Sequence, residues 1–186
     1  MPKQITLENP KINNLVNRVE AGEVKIPPLQ RPFVWKISQI IDLLESIYND
    51  YPIGSILWWE TNEKLAAERN IAGFKLPNKP ESHPFYYVLD GQQRVSSLYG
   101  IFCTDRTVDD VPEEYKIDHS IFDIVFDLDE KKFVHVSEKE TGKNYFELKS
   151  LFNPSEYANA LVAARRSVET SLQTYMINLQ TMKFLL

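Results

Sequence analysis

The sequence predicts an α+β domain. Apolar residues recur with helical spacing over residues 12–19, 37–48 and 95–102, while β-branched and aromatic runs at 55–60, 85–89 and 121–128 suit strands. The two kinds mix without the strict β-α-β alternation of a doubly wound sheet. With 186 residues, 43% of them hydrophobic and 25% charged, the chain has the make-up of a globular protein with a real core.

The elements follow in order. Ile12, Leu15, Val16 and Val19 mark a helix with one buried face, opened by Asn9-Pro10 and stopped by Gly22. Val24-Lys25-Ile26 reads as a short strand. Pro27, Pro28 and Pro32 then hold the segment up to Trp35 in stiff, extended backbone. Ile37, Ile40, Ile41, Leu44, Ile47 and Tyr48 outline the clearest amphipathic helix, which ends before Tyr51-Pro52-Ile53-Gly54. Ser55–Glu60 is the next strand, and Trp58 and Trp59 fall on its opposite faces.

Residues 61–82 are polar and carry Pro77 and Pro80, with a short exposed helix expected over Asn62–Asn70. Phe85–Leu89 is the central strand. It stops at the turn Asp90-Gly91, and Val95, Leu98, Tyr99 and Phe102 continue as a helix with one buried face. Gln93 and Ser97 fall on the opposite face of that helix. An acidic loop over 105–120 precedes a hairpin, Ile121–Leu128 and Lys132–Val136, folded about Asp129-Glu130-Lys131. From Pro154 the pattern is helical to the last residue without a stop signal, as expected of a piece of something longer.

The totals exclude several classes. A net charge of −5 argues against a general nucleic-acid coat, and the single cysteine, Cys103, excludes a disulfide framework and a thiolate metal cluster. His83, His119 and His135 lack ligand spacing. There is no G-x-G-x-x-G, no Walker A loop and no G-x-S-x-G elbow; Gly142-Lys143 is followed by Asn144. With no signal peptide and no membrane-length apolar run, a cytoplasmic location without membrane contact is expected.

The chemistry gathers where the central strand hands over to its helix. The first N–H groups of a helix have no intrahelical acceptor and stand at the positive end of its dipole, so they favour an anion, here a phosphate. Asp90, Gly91, Gln92, Gln93 and Arg94 occupy that point. Arg94 supplies a forked, permanently charged donor, and the backbone amides of Gln92 and Gln93 add to it. Asp90 repels a phosphate unless it holds a divalent cation or orients a water. In the plainer alternative, Asp90 caps the helix and Arg94 pairs with a surface carboxylate. Gln30-Arg31 forms either a second wall of the same pocket or part of the outer surface. Phe33 lies beside a base or plugs the core, and packing is the expectation for Trp35. Gly54 and Ser55 either approach a ligand or form a helix-to-strand corner.

Three blocks taken together are a resemblance. Ile26-Pro27-Pro28-Leu29-Gln30-Arg31-Pro32-Phe33-Val34-Trp35, Tyr51-Pro52-Ile53-Gly54-Ser55-Ile56 and Leu89-Asp90-Gly91-Gln92-Gln93-Arg94 resemble the N-terminal domain of GmrSD-type restriction proteins, also known as domain-of-unknown-function family 262. Two departures are mild: Leu29 stands where an aromatic is frequent, and Ser96-Ser97 replace threonines.

The resemblance implies a ParB/sulfiredoxin-like domain over residues 1–152, with residues 153–186 beginning a helical region. It implies binding and hydrolysis of a nucleoside triphosphate with Mg²⁺, coupled to restriction of foreign or modified DNA, with an HNH-type nuclease domain or subunit outside this chain. The expected catalytic residues are Asp90, Arg94 and Gln93, with Asp90 on the metal. Gln30, Arg31, Gly91, Gln92, Ser55 and Ser97 are expected on the nucleotide. The rival expectations are a non-catalytic DNA-binding module that senses modified DNA through Arg31 and Arg94, and an interaction scaffold with a degenerate site.

Overall fold

A computed structural model describes residues 11–65, 71–74, 76, 84–103, 116–152, 155 and 157–159. Helix α1 (Ile12–Glu20) buries Ile12, Leu15, Val16 and Val19, the face its spacing marks. Its N-cap is Lys11, and Gly22 at φ +74° follows the last turn, with the Gly22 N–H donating to the Val19 carbonyl. Strand β1 (Val24–Lys25) is short. Helix α2 (Ile37–Tyr48) buries Ile40, Leu43, Leu44 and Ile47. Strands β2 (Leu57–Thr61) and β3 (Phe85–Asp90) follow, then helix α3 (Gln92–Phe102).

These strands form one mixed sheet, ordered β1-β3-β2, with β1 parallel and β2 antiparallel to the central β3. The register slips between Leu57 and Trp58, opposite the end of β3, so the sheet is irregular where the chain turns into α3. Trp58 packs on Tyr86 under the Arg18 guanidinium, while Trp59 faces outward, so the pair divides between the two faces as expected.

A second sheet, ordered β5-β4-β6 and antiparallel throughout, is built from β4 (Ile124–Asp127), β5 (Lys132–His135) and β6 (Tyr145–Glu147). The hairpin lies where the sequence expectation puts it, but its first strand starts at Ile124 and not at Ile121, because His119–Phe122 is a 3-10 turn. Strand β6 and the following 3-10 turn, Leu148–Phe152, were not legible, because three residues are too short to show a period. The described residues 62–65 are not helical, contrary to expectation. The remainder of that expected helix, the Asn9-Pro10 cap and most of the helix expected from Pro154 lie outside the described residues.

Helix α3 is the middle of the core. It contacts α1, α2, the 3-10 turns Ile71–Gly73 and His119–Phe122, and Leu148–Phe152. The expectation of one buried face is therefore corrected: every residue of α3 except Arg94 is buried. Ser96 and Ser97 are tolerated inside because they are small, and the Ser97 hydroxyl donates to the Gln93 carbonyl one turn back, at 2.8 Å. Gly100 lets the Phe122 ring lie directly against the helix backbone; a Cβ there would stand 2.6 Å from the ring.

The β4–β5 turn is held by charge. Buried Asp127 accepts from the backbone N–H groups of Asp129 and Glu130, both at 2.9 Å. Lys132 and Lys143 both reach the Glu130 carboxylate. Their hydrogen bonds, that of Lys132 first, hold its pKa down from 4.5 to about 2. A depressed folded pKa means the contribution to stability is present above the unfolded value and is lost as pH falls toward 2. Thermal melts between pH 5 and pH 2 are therefore expected to fall more steeply in the parent than in Glu130→Gln. Parallel slopes would remove the argument.

Candidate anion site at the start of the central helix

Strand β3 ends in an exposed Asp90, and Gly91 turns the chain at φ +87° as the N-cap of α3. That residue has to be glycine on two grounds. The positive φ disfavours a side chain, and a Cβ would stand 3.0 Å from Arg94 Nη2 and 3.2 Å from the Ile56 backbone. With glycine at the cap, no side chain occupies the capping position.

The side chains of Gln92 and Gln93 point to the proline-rich segment. Gln93 Oε1 accepts from the Val34 N–H at 2.9 Å and the Trp35 N–H at 3.3 Å, while Nε2 donates to the Pro32 carbonyl at 3.1 Å. Gln92 Nε2 donates to the Arg31 carbonyl. Gln30 crosses the other way, its Nε2 donating to the Leu89 carbonyl at 2.8 Å. Residues 30–35 are thereby tied along the end of β3 and the first turn of α3. Chain separation of about sixty residues hides this from local sequence patterns.

Arg94 is cradled by backbone. Nη1 donates to the Ile53 carbonyl at 3.1 Å and Nη2 to the Ser55 carbonyl. Gly54, at φ +78°, makes room: a Cβ there would lie 2.8 Å from Nη1. The guanidinium side chain is 19% exposed, and its ion pair with Asp90 is long, 3.8 Å to a carboxylate that is 74% exposed. Arg94 Nε and Gln92 Oε1 are buried with no hydrogen-bond partner. A cation thus stands at the positive end of a helix with one distant, solvated counter-charge among the described residues.

The expected residues divide. Gln30, Gly91, Gln92, Gln93 and Arg94 converge. Arg31 and Ser55 join through their carbonyls, and the side chains of both are on exposed residues. Ser97 is not brought to the site, because it is wholly buried and its hydroxyl is bonded within the helix. Phe33 and Trp35 pack against the core, whereas Val34 is 55% exposed. The Arg94 cradle at Ile53–Ser55 was missed as a cradle; Gly54 was its signal.

The model of one protein family matches residues 12–184, nearly the whole chain; its description is "GmrSD restriction endonuclease, N-terminal domain". The chain belongs to the GmrSD N-terminal domain family. An uncharacterized protein of Methanocaldococcus jannaschii is 28% identical over 178 residues, covering 83% of this chain and 30% of the relative. This GmrSD N-terminal domain therefore spans under a third of the length of that relative. Among the described residues, no helix is long and apolar enough to cross a membrane.

In this GmrSD domain, no group of three or more His, Cys, Asp or Glu residues able to hold a metal is found among the described residues. Asp90 offers one accessible carboxylate. A single carboxylate suits Mg²⁺ that arrives with phosphates, since that ion commonly takes one or two protein carboxylates plus phosphate oxygens and water.

Proposed function

We propose that this domain binds a nucleoside triphosphate with Mg²⁺ at the first turn of α3 and hydrolyses it, as the regulatory part of a phage-defence restriction protein. DNA is the larger partner, and the nuclease lies in another domain or subunit. One observation carries the reading: the Arg94 guanidinium, fixed by the Ile53 and Ser55 carbonyls at the positive end of α3, faces only a distant carboxylate among the described residues. Carbonyls orient a cation without neutralising it, so the site favours an oxyanion.

In this proposal the backbone amides of Gln92 and Gln93 meet phosphate oxygens, and Arg94 stabilises charge on the transferred phosphoryl group. Asp90 holds the metal, which would screen phosphate charge, or orients the attacking water. Gln93 acts by position, since its amide is committed to residues 32–35. Gln30 and Arg31 form the neighbouring wall.

Calorimetry with triphosphate and Mg²⁺ tests binding, and phosphate release tests turnover. Asp90→Ala is expected to abolish turnover while leaving binding measurable; no uptake of any triphosphate by the parent would end the proposal. A DNA-reading module is the second reading, favoured by the exposed Arg31 side chain. It requires DNA affinity that falls steeply with salt and a slope that flattens in Arg31→Ala.

A further inference from the structure

The proline-rich wall has few apolar attachments. Across residues 29–34, Leu29 is 98% and Val34 55% exposed, Arg31 and Pro32 are exposed, and Phe33 is the apolar side chain that turns to the core. Its ring meets Phe122 with centroids 5.4 Å apart. Phe122 is wholly buried, lies outside all three sequence blocks, and packs also on Phe74 at 5.6 Å. It can stand there because Gly100 offers no Cβ to push it. The turn that carries it is fastened at its first two residues: His119 Nε2 meets the Ala72 carbonyl at 2.7 Å, and His135 Nε2 meets the Ser120 carbonyl at 2.8 Å.

We infer that Phe122 is a positioning residue for the site. It is the seat on which Phe33 docks, and that docking holds residues 32–35 in register with the Gln93 amide. This rests on the anion-site reading above for its consequence, though not for its geometry. Gln93 is bonded to residues 32, 34 and 35; Pro32 and Val34 are exposed, and Trp35 packs partly on the core beyond them. Without the Phe33 anchor, the exposed part of the segment ahead of Trp35 gains conformational entropy by leaving, and the Gln93 bonds are individually too weak to prevent it. Loosening the wall then weakens triphosphate binding by adding an ordering cost to each binding event.

The test uses Phe122→Leu, Phe33→Ala and Phe33→Leu in the whole chain, with amide-resolved hydrogen exchange and calorimetry using triphosphate and Mg²⁺. In Phe122→Leu and Phe33→Ala, exchange of the Val34 and Trp35 amides is expected to accelerate about tenfold or more while Leu98 and Tyr99 in α3 keep their protection. The triphosphate Kd is expected to rise by about tenfold, with Phe33→Leu recovering much of both losses. If Phe122→Leu does not fold, the partly exposed Phe33 supplies the same comparison. Unchanged exchange at Val34 and Trp35 in a folded variant overturns the proposal, and so does faster exchange with unchanged Kd. A parent that takes up no triphosphate overturns the site reading and the affinity consequence together; the exchange data then still decide whether Phe122 seats the segment.

Discussion

Arg94→Ala is expected to destabilise the fold by about 3 kcal/mol, from hydrogen bonds of a charged donor worth about 1.5–3 kcal/mol each. The Ile53 and Ser55 carbonyls lose their partner, and Gly54, shaped around the guanidinium, faces a gap. The same change is expected to weaken triphosphate uptake by about 100-fold, the equivalent of about 2.7 kcal/mol. Arg94→Lys separates the two effects. A lysine keeps the charge, but its point-like ammonium does not reproduce a planar fork reaching both carbonyls. It should recover part of the binding and little of the stability. Urea unfolding gives the first quantity and calorimetry the second. An unchanged urea midpoint in Arg94→Ala would show that the cradle contributes nothing to folding.

Gly100→Val should destabilise by about 3 kcal/mol, at the upper end of what overpacking a close-packed core costs. The obstacle is the near end of a rigid ring: a Cβ at residue 100 would lie 2.6–2.7 Å from Cγ, Cδ1 and Cδ2 of Phe122. That ring is wedged between α3, Phe33 and Phe74. Gly100→Ala places two effects in opposition, since alanine favours helix by about 1 kcal/mol over glycine. The clash is expected to win, leaving a net loss of about 1 kcal/mol. Combining Gly100→Ala with Phe122→Leu should cost less than the sum of the two changes, because the smaller side chain makes the room. Additive losses would place the strain elsewhere.

Much of the architecture was legible because it is local. Helices α1 and α2 sit where Ile12 to Val19 and Ile37 to Tyr48 show a helical period, and the β4–β5 hairpin brackets Asp129-Glu130-Lys131 as its alternation suggests. Helix α3 was legible in its bounds but not in its surroundings. A central helix is covered on all sides, so small polar residues such as Ser96 and Ser97 go inside, and amphipathic spacing gives the wrong exposure for them.

By itself the sequence determined the α+β class, the strand-glycine-helix junction at Asp90-Gly91, and the family, through three separated blocks of residues. Tertiary structure alone decided what those residues do for one another. It spends the Gln92 and Gln93 side chains on residues 31–35, removes Ser97 from the site, and turns Arg94 to the two carbonyls that flank Gly54. The physical reason is that periodicity and propensity report on neighbours a turn or a strand apart. A side chain bonded to backbone some forty to sixty positions away is chosen by packing, and leaves no mark in its own vicinity.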